Sequence, residues 1–124
     1  MTPALPLLIA AIASVESGNN PNAIGANGET GPLQISAICL ADINRIQDQV
    51  HFVEADTLDY IRASAMFVIY VSHYCTKERL GHEPTWMDYA LCWNGGSRVR
   101  RNVSTLKYWD KVKAELRKMG VDVQ

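Results

Sequence analysis

Glu16 stands where the local pattern calls for another apolar side chain. Leu5, Leu8, Ile9 and Ile12 recur at the three-and-four spacing of one helical face, and Glu16 is the next position on that stripe. An acid at the end of a buried stripe is penalised in its charged form. It therefore tends to hold its proton at neutral pH, as a general acid must. Two plainer readings fit the same stripe: a helix-terminal Glu turned to water, and a buried Glu satisfied by a structural partner. His73, Cys75, His82 and Cys92 invite a zinc site or a Cys-His hydrolase, but their spacing has no tight pair of pairs, and the reading is disfavoured.

The elements that position Glu16 follow from periodicity and punctuation. A first helix from about Leu5 to Ser17 is stopped by Gly18-Asn19-Asn20-Pro21, where glycine can cap the helix and proline blocks its continuation. From Gly18 to Gln34 the chain holds four glycines, two prolines and four asparagines, so turns and a short β-ribbon are expected. Loops this long in small domains usually serve a function. Ser36 reads as the N-cap of a second helix with a core stripe of Cys39, Ile43, Ile46 and Val50, which makes Cys39 a packing residue. A third helix, from about Asp56 to Leu80, is apolar nearly all round between Ala65 and Val71 and is expected to be the central, most buried element. Gly81 ends it. A fourth helix, Pro84 to Trp93, gathers Trp86, Tyr89, Ala90 and Trp93 on one side before Asn94-Gly95-Gly96 breaks it. The last, from about Ser104 to Met119, shows a stripe of Leu106, Trp109, Val112, Leu116 and Met119. The fold class expected is mainly α: about five helices around a central buried one, with a small irregular or β tongue. No repeat, low-complexity tract or linker divides residues 1–124, so one domain is expected.

Composition narrows the class further. At 124 residues the chain can bury about two-thirds of the surface its unfolded form exposes. With 48% apolar and 20% charged residues it reads as an ordinary globular domain, and no run approaches the roughly 20 apolar residues of a membrane span. The net charge of −1 divides into −6 over residues 1–97 and +5 over 98–124. A basic cluster such as Arg98, Arg100 and Arg101 attracts anionic polymers or, more commonly, marks a solvated face. Nothing beside it resembles a nucleic-acid module, and no nucleic-acid partner is expected. The apolar run Ala4 to Ala13 lacks a basic flank, and cleavage after it would remove the helix that carries Glu16, so it reads as structure rather than as a signal peptide. Cys39, Cys75 and Cys92 have no disulfide-framework spacing, and reduced, buried thiols fit synthesis in a cytoplasm.

Three segments carry a resemblance that none carries alone: Glu16-Ser17-Gly18, Gly31-Pro32-Leu33-Gln34-Ile35, and Ala90-Leu91-Cys92-Trp93-Asn94-Gly95-Gly96. In this order and spacing the chain resembles the soluble lytic transglycosylase family, whose fold is lysozyme-like and related to goose-type lysozyme. Asn20-Pro21-Asn22-Ala23 and the stretch Tyr108 to Val112 agree with it, so the resemblance runs from about Ile9 to Val112. It implies cleavage of the β-1,4 bond between N-acetylmuramic acid and N-acetylglucosamine in peptidoglycan, with Glu16 as general acid and then base. No cofactor or metal is implied. A protonated carboxyl in a partly apolar pocket can donate to the glycosidic oxygen as oxocarbenium character develops. The carboxylate then takes a proton from the sugar's C6 hydroxyl, giving an anhydro product, or from water, giving hydrolysis.

Glu29, in Gly28-Glu29-Thr30-Gly31, is the candidate second acid, at roughly the place where goose-type lysozymes carry an auxiliary Asp; its plain reading is a solvated loop residue. Gln34 offers donor and acceptor to sugar groups, or ties the loop to the next helix. Ser17 orients Glu16 or caps the helix end. Ile35, Trp93 and Asn94 complete the substrate-binding set that the resemblance implies. Two departures matter. Trp93 stands where the family usually has a tyrosine whose hydroxyl approaches the catalytic carboxyl, so the partner of Glu16 is expected to change. Pro32 replaces a leucine and removes a backbone donor. Trp86 and Trp109 fit sugar stacking or, more commonly, core packing. The expected partner is the peptidoglycan glycan strand, and the expected state a monomer, made in the cytoplasm and acting on the wall. A phage-encoded lysin or a domain of a larger wall-cutting machine would match. The alternatives are a muramidase that uses water and a non-catalytic glycan-binding module of a phage particle or secretion apparatus.

Overall fold

The computed structural model describes residues 5–99 and 101–123. Ala4 of the apolar run and Arg100 of the basic cluster lie outside the described residues. Among the described residues there are six helices: α1 (Leu5–Ser17), α2 (Ala37–Ile46), α3 (Tyr60–Tyr74), α4 (Lys77–Leu80), α5 (Trp86–Gly95) and α6 (Val103–Lys118), with a 3-10 segment at Glu54–Leu58 before α3. The mainly helical class with a small irregular part is the one the sequence calls for.

The α1 helix has the bounds its pattern predicts. Leu8, Ile9 and Ile12 are buried along the stripe, and Glu16 follows them half-buried. Each such aliphatic side chain contributes roughly 2 kcal/mol on burial. Gly18, at φ 64°, ends the helix; its N–H bonds the Ser14 carbonyl and the Asn19 N–H bonds that of Ala13. The tongue that follows has no long ribbon. Two isolated antiparallel bridges, Ile24 with Thr30 and Thr30 with Ile35, fold it back on itself. Buried Leu33 and Ile35 anchor it to the core, and the Thr30 and Thr57 hydroxyls meet at 2.6 Å.

Ser36 caps α2 as expected, accepting from the Cys39 N–H at 3.0 Å. The α2 stripe is shorter than its sequence pattern: the helix stops at Ile46, leaving Val50 outside it and 46% exposed. The Gln47 side chain takes over the freed backbone groups, bonding both the carbonyl and the N–H of Val50.

The long third helix expected from Asp56 to Leu80 is three pieces. Asp59 caps α3 by accepting from the Arg62 N–H, and Thr76 caps α4 by accepting from the Arg79 N–H, so short polar side chains interrupt the apolar run at both ends. Nor is α3 the most buried element. It buries Ala63, Met66, Phe67 and Val71, while Ile61 and Val68 face outward. The more enclosed helix is α5, with Trp86, Asp88, Ala90, Leu91 and Cys92 buried. On α6 the inward face is turned relative to the expected stripe. Thr105, Tyr108, Trp109, Val112 and Leu116 are buried; Leu106 and Met119 are about two-fifths exposed, at 39% and 41%.

The α6 helix packs across α1 and α5, and α3 bridges α5, α2 and the 3-10 segment. Trp86 and Trp109 belong to the resulting core and do not face a groove. No helix among the described residues is long and apolar enough to cross a membrane.

Candidate active site

The stripe on α1 delivers the Glu16 carboxyl to the mouth of a cleft of about 340 Å³, lined also by Gly25, Glu29, Gln34, Trp93 and Asn94. One wall is the tongue, the other the C-terminal end of α5. Burial pushes the Glu16 carboxyl above the ordinary carboxylate range; the Tyr108 hydroxyl bond pulls it partway down and the nearby charge of Glu29 pushes it up again. The net direction is upward. Tyr108 donates to Glu16 Oε2 at 2.9 Å from the buried face of α6. Its own phenol is held well above the usual value by burial and by the adjacent carboxyl, so it stays a donor.

Tyr108 is the residue that sequence reasoning missed. The hydroxyl expected to be lost with Trp93 comes instead from α6. The available signal was its place on the buried face of the last helix, where a tyrosine needs a hydrogen-bond partner. Trp93 does not bond Glu16. Its indole N–H donates to the Leu33 carbonyl at 3.3 Å, and its ring packs against Phe67 and Tyr70 with centroids at 5.0 and 5.6 Å. It forms a stiff wall of the cleft.

The predicted residues separate into two groups. Glu16, Glu29, Gln34, Trp93 and Asn94 share the cleft. Ser17 and Ile35 do not line it. The Ser17 hydroxyl donates to the carbonyls of Pro32 (2.8 Å) and Ala13 (3.1 Å), binding the end of α1 to the tongue rather than orienting Glu16. Ile35 is 2% exposed and is a core anchor. Gln34 does both things expected of it: it lines the cleft, and its amide nitrogen donates to the carbonyls of Ala23 and Gly31, fixing the loop. Its backbone takes φ 54°, a left-handed value that those two bonds help to hold. Gly25 is needed for close approach. A Cβ there would lie 2.5 Å from both Gln34 Oε1 and Glu29 Oε1. The Glu29 carboxylate in turn accepts from the Asn27 N–H at 3.0 Å, which orders it inside the tongue.

Ser36, Cys39, Trp93 and Asn94 also line a wider cleft of about 630 Å³, which extends along α2 to Asp42 and Arg45. Together the two form one elongated groove with Glu16 toward one end. The Cys39 thiol in its floor is pushed up to about 12 by burial and by the charge of Asp42, so it is a neutral packing group and not a nucleophile. His82 bonds Asp88, and among the described residues no group of three or more His, Cys, Asp or Glu side chains is arranged to hold a metal ion.

The class that fold and site define is a mainly helical protein with a half-buried carboxyl at an open cleft. In comparisons with known proteins, no family model matches the chain, and no curated protein matches it at a significant level.

Proposed function

We propose that the chain cuts the glycan strand of peptidoglycan at the β-1,4 bond between N-acetylmuramic acid and N-acetylglucosamine, as a lytic transglycosylase with a lysozyme-like fold. The observation that carries the reading is the Glu16 carboxyl, raised in pKa by burial, hydrogen-bonded by Tyr108, and lining a cleft that shares Ser36, Cys39, Trp93 and Asn94 with a second, wider one. With Oε2 engaged by Tyr108, Oε1 carries the proton to the glycosidic oxygen as the C1–O bond breaks. The leaving sugar departs as an alcohol. The carboxylate so formed then removes the proton of the C6 hydroxyl, whose oxygen closes on C1 to give the anhydro end. Each turnover returns Glu16 to its protonated form, and no cofactor enters. Gln34 Oε1 and the Asn94 amide supply the polar contacts that align hydroxyl and acetamido groups.

Glu29 favours a second reading, a muramidase. It lines the same cleft and its charge pushes Glu16 upward, which supports a role in activating a water in the two-carboxylate manner. Product mass distinguishes the two: anhydro ends mark the transglycosylase, reducing ends the muramidase. Purified peptidoglycan digested by the wild-type protein and by Glu16→Gln tests the shared claim. Loss of about 10²- to 10⁴-fold in rate is expected for the amide. Equal clearing by the two proteins would leave Glu16 no catalytic part, and a wild type that binds strands without cutting them would make the chain a glycan-binding module.

A further inference from the structure

Beyond the groove, between the C-terminal end of α4 and the α5–α6 loop, lies a separate cavity of about 440 Å³ lined by Tyr74, Arg79, Leu80, Ser97, Arg98 and Val99. Two arginines and a serine are among its lining residues, and no acid is. Among the described residues, Arg45 and Arg101 are engaged by acids. Arg45 is bound by Asp42 at 2.6 Å and Arg101 by Asp88 at 3.2 Å. Arg79 and Arg98 have no carboxylate partner among the described residues. Arg79 is held in place all the same, with its guanidinium 5.2 Å from the centre of the Tyr74 ring.

The cavity adjoins the groove through two shared features. The phenol oxygen of Tyr74 donates to Asp42 Oδ2 at 2.5 Å, at the far end of the groove, and the same residue lines the cavity. The α5–α6 loop lines the groove with Asn94, Gly95 and Gly96 and the cavity with Ser97, Arg98 and Val99. A turn closed by the Val99 N–H on the Gly96 carbonyl, at 3.0 Å, holds Gly96 of the groove and Val99 of the cavity within about 7 Å of each other. Val99 takes φ 50°, a strained value for a β-branched residue, which the turn imposes.

We propose that this cavity binds a carboxylate of the acidic peptide branch carried by the wall glycan, with Arg79 and Arg98 as its cationic partners and Ser97 as a neutral donor. The inference rests on the glycan-strand reading above. A strand lying in the groove needs only a short branch to reach across the turn, since two extended residues span about 7 Å. Planar guanidinium groups pair with carboxylates in a forked geometry, so the contact selects branched strands over bare ones.

The test is a titration of the isotopically labelled full chain, followed at the backbone amides of Ser97, Arg98 and Val99. Acetyl-alanyl-glutamate is the probe, its uncharged diamide the control, and inorganic phosphate the competing anion. Saturable shifts with the dicarboxylate and none with the diamide are expected. Arg98→Gln, an exposed substitution that breaks no contact, and the pair Arg79→Gln with Arg98→Gln should each weaken binding, the pair by about tenfold or more. Arg98→Lys should retain part of it. Equal response to the diamide, tighter binding of phosphate, or unchanged affinity in the double variant would overturn the proposal. Digestion of peptidoglycan by the wild type is read separately: cutting without peptide binding removes this site alone, and peptide binding without cutting removes the enzymatic reading and leaves the carboxylate site.

Discussion

At the scale of single residues, the site turns on one oxygen-to-oxygen contact. Tyr108 donates to Glu16 Oε2, and this bond opposes the upward push that burial gives the carboxyl. Tyr108→Phe removes the opposing contribution while keeping the ring, so the high-pH limb of the activity profile should move to higher pH and the maximal rate should fall, by about tenfold for one lost charge-assisted donor. A pH-rate series on solubilised glycan strands measures both. An unmoved limb would mean that the tyrosine does not act on the acid. Glu16 also makes a stability prediction of definite sign. Its folded pKa lies above the unfolded one, so its contribution is fully present below the unfolded value and is lost as pH rises through the folded value. Above the unfolded value the buried carboxyl is a burden on the fold, because burial disfavours the charge that the unfolded chain carries freely. Glu16→Gln should therefore melt at a higher temperature than the wild type at pH 7, with the gap closing in acid. Calorimetry at the two pH values checks it, and an amide that melts lower at pH 7 would show that the charge is well solvated.

At the scale of elements, the tongue is the part on which the cleft depends. Gly31 has φ 83°, and a Cβ there would lie 1.8 Å from the Thr57 carbonyl oxygen, a backbone atom that cannot give way. Gly31→Ala should cost about 3 kcal/mol or more, seen in chemical unfolding, because both strain and clash oppose it. Gly25 differs in kind. Its Cβ would meet only the ends of the Glu29 and Gln34 side chains, which can move, so Gly25→Ala should cut activity while lowering the melting temperature little. If that variant cuts glycan at full rate, the packing of Glu29 against Gln34 has no functional weight. Much of this was legible in the sequence. Helical period alone carries Glu16 to the end of the α1 stripe, and Gly18 marks its stop. The breaks around α3 were less so, because Asp59 and Thr76 act as caps inside an otherwise continuous apolar run, and local hydrogen bonding outweighed periodicity there. Tyr108 was hidden for a related reason. A stripe read from apolar residues selects Leu106 and Met119, whereas packing against α1 turns Thr105 and Tyr108 inward once their hydroxyls have partners. Cleft membership of Glu29 and Trp93 followed from motif order, but their hydrogen bonds depend on how tongue and α5 meet, which no local pattern encodes.

At the scale of the whole molecule, a buried carboxylate in the acidic body of residues 1–97 ties that body to the start of the basic remainder. Asp88, on α5, is 1% exposed and accepts from the Thr85 N–H, the Thr85 hydroxyl and Arg101, with His82 at 2.9 Å. It belongs to the capping box of α5 and fastens the approach to α6 in the same network, so it ties together the two helices that carry Trp93 and Tyr108. Burial alone would raise its pKa; the bonds from the Thr85 backbone, His82 and the Thr85 hydroxyl outweigh it and hold the group below the ordinary value. Stability from Asp88 is therefore present above the unfolded pKa, near 3.9, and is lost as pH falls through the lower folded value. Asp88→Asn should destabilise the chain by about 1–3 kcal/mol at pH 7, discounted because His82 and Arg101 are half-exposed and water screens them. Its deficit should shrink in acid, where the wild type also loses the charge. Because the same network sets the spacing of α5 and α6, the folded Asp88→Asn protein should also bind glycan fragments more weakly. Chemical unfolding at pH 7 and pH 3, paired with fragment titration, reads both effects. A variant as stable as the wild type at pH 7 would show that the capping hydroxyl of Thr85 suffices without the charge.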